Sequence, residues 1–325
     1  QGYNNFKKSR LEFEKAKNEF KQIEQETILS SVSAYYDLIF KNQSKIFNSA
    51  NVDLFERQVE SDRSRLQKGE ISLTDLAQSE SSLAGAQAAF IKADSEYISA
   101  MAEFERINRI IAPKNINDNF DVSFIMPSSL ENAFELSDSN NPSLSIARIN
   151  LAISERELNV EKARLSPSAT LNYSKTENKD LSATVDEDDK ETVKATVSWP
   201  IIQGGKNFSS IKKFKHKKEK NALLLEDKEN EIKTQTATSW SFFQSAESVL
   251  ASTEAQLKAA EIANEGITLE YDSGNTRTTL DVIQSRSLLL EARISNAEAK
   301  KNLIVSKLRL LSQIGGLELK AFQTP

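Results

Sequence analysis

The only histidine in the chain, His216, lies within a run of six lysines: Lys212, Lys213, Lys215, Lys217, Lys218 and Lys220. A catalytic triad or a histidine metal site needs further partners. With one histidine and no cysteine in 325 residues, the sequence supports neither. The acidic tetrad Asp186-Glu187-Asp188-Asp189 could attract a divalent cation, but it lacks the glycine and the ligand spacing of a calcium-binding loop. It reads as a solvated loop tip. The lysine run is helical in pattern and has no repeated aromatics between its cations, as nucleic-acid binding would ask. It reads as a solvated helix start, with a chemically similar counterpart at Lys7–Lys21. No nucleophile–base set, phosphate loop or metal cluster is found. An enzyme is therefore the class these residues support least, and no cofactor is expected. The net charge of −5 comes from interleaved acids and bases, so no nucleic-acid partner is expected either. No run of 18 apolar residues offers a transmembrane helix.

These side chains are positioned by a chain that repeats itself. Gln1-Gly2-Tyr3-Asn4-Asn5-Phe6 returns as Gln203-Gly204-Gly205-Lys206-Asn207-Phe208, at an offset of 202. Leu66-Gln67-Lys68-Gly69, followed by Thr74-Asp75-Leu76, returns as Tyr271-Asp272-Ser273-Gly274, followed by Leu280-Asp281-Val282, at 205 to 206. Proline occurs only at 113, 127, 142, 167, 200 and 325, so residues 1–112 and 201–324 can form long uninterrupted helices. Residues 5–48 carry apolar residues at three- to four-residue steps, and the pattern continues over 50–67. Gly69 suits a left-handed helix end, Thr74 an N-cap, and a second helix runs from there to about Ile110. Residues 111–142 read as an irregular connector with one short helix at 129–137. Residues 143–165 are helical up to Pro167.

Residues 168–175 and 191–199 alternate small or polar with apolar, which signals strands. Between them, Thr176–Lys190 reads as a long exposed loop. Trp199 ends its strand where an aromatic girdle would sit in a membrane barrel. Helices follow from about Lys206 to about Glu265 and from about Thr279 to about Leu311. A 60-residue helix is about 90 Å long, which suits a coiled-coil cylinder better than a globular core.

In this order the pattern resembles the TolC family of outer-membrane channels. Asn141-Pro142-Ser143-Leu144 is similar to the family's helix start, Leu165-Ser166-Pro167-Ser168 to its helix-to-strand proline, and Trp199-Pro200-Ile201-Ile202-Gln203-Gly204-Gly205 to its strand-to-helix junction. The resemblance implies a mainly α fold with one β-hairpin. Residues 1–110 would form a first periplasmic helical hairpin, 111–142 an equatorial connector and 143–166 a helix. Residues 167–202 would form an outer-membrane β-hairpin with its loop at 176–190. A second helical hairpin at 203–314 and a tail at 315–325 would follow. It further implies a homotrimer in the Gram-negative outer membrane, with its helices in the periplasm. Each protomer would add four strands to a shared barrel, the first pair preceding Gln1. The partners would be a periplasmic adaptor, an inner-membrane transporter and outer-membrane lipid, whose anionic headgroups the two lysine-rich helix starts could meet.

The same resemblance assigns an iris-like gate to the two helical turns. Tyr271 and Arg277 would link to Thr74 and Asp75, Asp281 would form an aperture ring with Gln284 in place of a second acid, and Arg65, Leu66, Gly69, Tyr271 and Gly274 would dock the adaptor. The implied function is a duct for efflux or type I secretion. Alternatives remain for each feature: a surface salt bridge for the gate, a helix first-turn acid for Asp281, an ordinary hairpin turn for the docking tip. For the whole chain, the alternative is a non-pore coiled-coil adaptor or scaffold.

Overall fold

The computed structural model describes residues 2–113, 126–182, 185–199, 204–273 and 277–319, with backbone alone at 180–182 and 185–188. Gln1, residues 114–125 of the connector, Ala183 and Thr184, the Pro200–Gln203 junction, Gly274–Thr276 and the end of the tail lie outside the described residues. The elements are α1 (Gly2–Gln67), α2 (Leu73–Asn108), α3 (Leu130–Asn140), α4 (Pro142–Ala163), β1 (Ser168–Ser182), β2 (Val185–Ser198), α5 (Lys206–Asp272) and α6 (Thr279–Gln313). Freedom from proline gives α1 and α5 lengths of 66 and 67 residues. Both contribute to each of the chain's two compact units. The first unit is Gln1–Lys21 with Pro142–Glu231, and the second is Gln22–Asn141 with Ile232–Pro325.

In the first unit, carboxylates of α4 are tied to the starts of α1 and α5. Glu157 is shared by Lys8 at 3.1 Å and Lys217 at 2.5 Å, and Glu155 takes Lys218 at 2.9 Å. Burial opposes the charge on Glu157, but the two lysine bonds outweigh it and hold its carboxyl below the usual range. The lysine run is thus only partly a solvated helix start, because Lys217 and Lys218 clamp α5 to α4.

Strands β1 and β2 form one antiparallel hairpin from Ser168↔Ser198 up to Lys179↔Glu187, closing at Ser182↔Val185 past an irregularity. The expected loop at 176–190 is therefore mostly ladder. Its polar residues hid the alternation, but the backbone bonds propagate through them, and cross-strand pairs such as Lys175↔Glu191 join opposite charges.

The second unit has two apolar clusters. One joins Ile28 of α1, Ala133 of α3, Phe243 of α5 and Leu308, Leu310 and Leu311 of α6, with Ile314 and Leu317 beyond it. The other packs Leu38 of α1 on Ala100 and Phe104 of α2. Helix α6 is capped by Ile314 and followed by Gly315, whose φ of +73° favours glycine. A Cβ there would meet the Asn140 backbone oxygen at 2.2 Å. Asn141 fixes the same junction by donating its side-chain N–H to the Gln313 carbonyl at 2.8 Å.

Helix α2 begins two residues earlier than expected. Its N-cap is Ser72 rather than Thr74. Ser72 has an acid three residues on, Asp75, and so forms a capping box that Thr74, followed at that spacing by Ala77, cannot.

Candidate functional site

Gln58, Asp62 and Arg65 lie on one face of α1 by their spacing of four and three. Asp62 is fully buried, which a carboxylate tolerates only with partners. It has three. Its Oδ1 accepts from Gln58 Nε2 at 2.9 Å and from the Tyr271 hydroxyl at 2.9 Å, and its Oδ2 accepts from Ser79 Oγ at 2.5 Å. The Tyr271 oxygen lies 3.1 Å from Thr279 Oγ1 and accepts a longer bond from Gln58 at 3.4 Å. Arg65 stacks its guanidinium 4.4 Å from the centre of the Tyr271 ring. Arg286 donates to the Leu54 carbonyl at 3.2 Å. One cluster therefore joins α1, α2, α5 and α6.

The protonation states suit these bonds. Burial pushes the Tyr271 phenol above its ordinary range, Thr279 acts in the opposite sense, and Asp62 adds to the rise. The phenol therefore keeps its proton at neutral pH and donates it to Asp62. Burial lowers the Arg286 guanidinium, yet arginine stays charged.

The repeat recurs here in a weaker form. Ser285 Oγ donates to Asn264 Oδ1 at 3.2 Å, as Ser79 donates to Asp62. The offset is 202 from Asp62 to Asn264 and 206 from Ser79 to Ser285. The second copy thus has four more residues between the bonded pair, about one helical turn, and Tyr271 stands there where the first copy has Leu66. Asp62 is charged where Asn264 is neutral, and only the first copy receives the tyrosine. Asp62 itself was missed from sequence; the serine pairs at matching offsets are the signal that could have found it.

The expected gate residues are not all brought together within one chain. Tyr271 takes Asp62 rather than Asp75, because the Asp75 carboxylate is occupied at its own helix start, accepting from Ser72 N at 2.9 Å and Ser72 Oγ at 2.7 Å. Arg277 bonds Glu270 at 2.6 Å. Thr74 is exposed at the second position of α2. Asp281 closes a second capping box, accepting from Thr278 N at 2.8 Å, while Gln284 is exposed. Arg65 and Leu66 are half-buried, and Gly69 is exposed with φ +75°.

The capping boxes carry a prediction. Ser72→Ala is expected to cost about 1 kcal/mol and to raise hydrogen exchange over the first turn of α2. The boxes are also acid-sensitive. Ser72 holds the Asp75 carboxyl below its usual range, and Thr278 does the same for Asp281. A carboxyl whose folded pKa is depressed stabilises fully above its unfolded value of about 4 and loses that contribution as pH falls through the folded value. The starts of α2 and α6 should therefore hold at neutral pH and fray below about pH 4 in exchange measurements.

The hairpin adds a second surface. Ala169, Leu171 and Tyr173 share one face with Val193, Ala195 and Val197, and the large members of that face are solvent-exposed. Trp199, also exposed, donates its indole N–H to the Leu165 carbonyl at 3.1 Å. The opposite face is polar. A strand pair with one bare apolar face and one polar face, attached to proline-free helices of more than 60 residues, is the pattern of a membrane β-barrel's strands joined to long helices.

Solved channels share this fold. The Campylobacter jejuni CmeC outer-membrane channel superposes with a TM-score of 0.80 at 13% identity, over 97% of this chain and 67% of that one. The open state of the Neisseria gonorrhoeae MtrE channel gives 0.81 at 13%, over 97% and 71%. Residues 134–316, more than half of the chain, match the outer membrane efflux protein family, and the chain belongs to it. It is similar to the outer membrane efflux protein BepC of Brucella suis, with 23% identity over 90% of this chain and 64% of BepC. It is also similar to the alkaline protease secretion protein AprF of Pseudomonas aeruginosa, with 22% identity over 92% of this chain and 63% of AprF. The chain thus spans slightly less than two thirds of these relatives.

Proposed function

We propose that this chain is the greater part of one protomer of a trimeric export duct in the outer membrane. Its helices line a periplasmic tunnel, and the turns between α1 and α2 and between α5 and α6 form the tunnel's closing end. The observation that carries this reading is the cluster around Asp62. It ties both helical hairpins together at their turns, as a closable end requires, and it does so with hydrogen bonds that can break and reform. Tyr271 on Asp62 is the latch within a protomer. Thr74, exposed, is left for a link to a neighbouring protomer, and Arg277, exposed and bonded to Glu270, would exchange that partner for one on the neighbour. Three copies of Asp281 would line the aperture, with Gln284 adding polarity but no charge. Membership of an efflux family and likeness to both an efflux protein and a protease secretion protein support export in concert with a periplasmic adaptor and an inner-membrane transporter.

The turn at Arg65–Gly69 is the adaptor's docking point. In the cysteine-free chain, a photo-crosslinker on Lys68→Cys of the full-length protein should capture a periplasmic adaptor in cells. The same label on Lys15→Cys, far from the turn in sequence, should not. Equal capture at both positions would refute docking at the turn.

A further inference from the structure

We infer that the hairpin carries an anion-attracting determinant of the channel's selectivity, the lysine pair Lys190 and Lys194. The inference rests on the proposed channel function and deepens it.

The register divides the hairpin cleanly. Ala169↔Val197, Leu171↔Ala195 and Tyr173↔Val193 alternate with Ser168↔Ser198, Thr170↔Thr196, Asn172↔Lys194, Ser174↔Thr192 and Thr176↔Lys190. Successive residues of a strand point to opposite faces, so the first set forms an apolar face and the second a polar one. Tyr173 and Trp199 bracket the apolar band. Val193, the partner of Tyr173, is six residues from Trp199, a span of about 20 Å along the strand and close to the height of the apolar girdle of a membrane barrel. Lys194 sits within that band, level with Asn172. A lysine at that depth cannot face hydrocarbon without heavy cost, whereas a water-filled lumen solvates it. The apolar face therefore meets lipid, and Lys194 meets the lumen. Lys190 follows on the same face, about 13 Å further toward the hairpin tip.

The two faces differ in charge beside the apolar band, while nearer the tip Asp188, opposite Asn178, brings an acid into the polar register. Glu177, Asp189 and Glu191 lie on the lipid-side register, beyond the apolar band, with Lys175 paired to Glu177. Over residues 168–176 and 190–198, the lumenal register holds two lysines and no acid. Neither lysine is in an ion pair among the described residues. In a trimer each lysine repeats around the lumen. Rings of basic side chains select anions, so the wall lined by this hairpin should concentrate anionic solutes, opposite in sign to the proposed Asp281 ring.

The test is the reversal potential of the full-length protein in a planar bilayer under a potassium chloride gradient. Lys190→Gln with Lys194→Gln should lower the chloride-to-potassium permeability ratio by a factor of about 2 to 5. The chain's lack of cysteine permits a face test in assembled channels. An anionic methanethiosulfonate should lower that ratio in Lys194→Cys and leave Ala195→Cys unchanged. Conducting double variants with the parent's ratio would overturn the lysine assignment alone. A reagent effect at Ala195→Cys but not at Lys194→Cys would overturn the face assignment. A full-length parent that does not conduct would count against the channel reading itself.

Discussion

Asp62→Ala is expected to destabilise the turn region by about 3–5 kcal/mol, the usual cost of removing one side of a buried, charge-assisted network. Ser79, Tyr271 and Gln58 would each lose the acceptor they now share. Unmet buried donors cost more than the bonds contributed, which is why the effect should exceed a simple count of bonds. Asp62→Asn should cost less, since one oxygen can still accept. Tyr271→Phe removes one donor and leaves Asp62 with two, so its loss should be about 1–2 kcal/mol. Hydrogen exchange over residues 55–80 and 262–286 reads these effects locally. A double-mutant cycle between Asp62→Ala and Tyr271→Phe should give a coupling of about 1–3 kcal/mol. Simple additivity would mean that the tyrosine does not depend on this carboxylate.

Gly315→Ala should be comparably damaging for a different reason. The new Cβ would lie 2.2 Å from the Asn140 oxygen and 2.5 Å from its carbonyl carbon, both backbone atoms that cannot rotate aside. The residue would also be held at φ +73°, where a side chain adds strain. We expect a loss of about 3 kcal/mol or more, confined to the junction of α3, α6 and the Ile314 and Leu317 cluster. Gly316→Ala is the control, because the nearest neighbours of its new Cβ would stand at 3.7 Å, ordinary contact. Thermal unfolding with exchange mapping separates the two. Equal effects at both positions would show that the close approach to Asn140 is not what matters.

Much of the architecture was legible because helix and strand periods differ. The proline-free stretches and their apolar steps define the long helices, and the alternation at 168–175 and 191–199 defines the hairpin. The errors have physical causes. Thr74 competes with Ser72 as an N-cap on residue type alone, and the acid three residues after Ser72 decides between them. Residues 176–190 lack apolar members, so nothing in their pattern shows that backbone pairing continues. Tyr271 stands out because it falls beside a turn glycine in the repeat. Asp62 does not, since a lone acid in an acid-rich helix has no distinguishing pattern until folding buries it. Its role emerges only when Ser79 and Ser285 are seen to make the same bond in two copies, one with a carboxylate and one with an amide.

We propose that this chain forms the wall of a closable channel whose latch is Tyr271 on Asp62. Planar-bilayer conductance of the full-length protein tests it most directly, comparing the parent with Asp62→Ala combined with Tyr271→Phe. The parent should form small-conductance, mostly closed channels, and the variant should conduct severalfold more. A variant that conducts no more than its parent would contradict it.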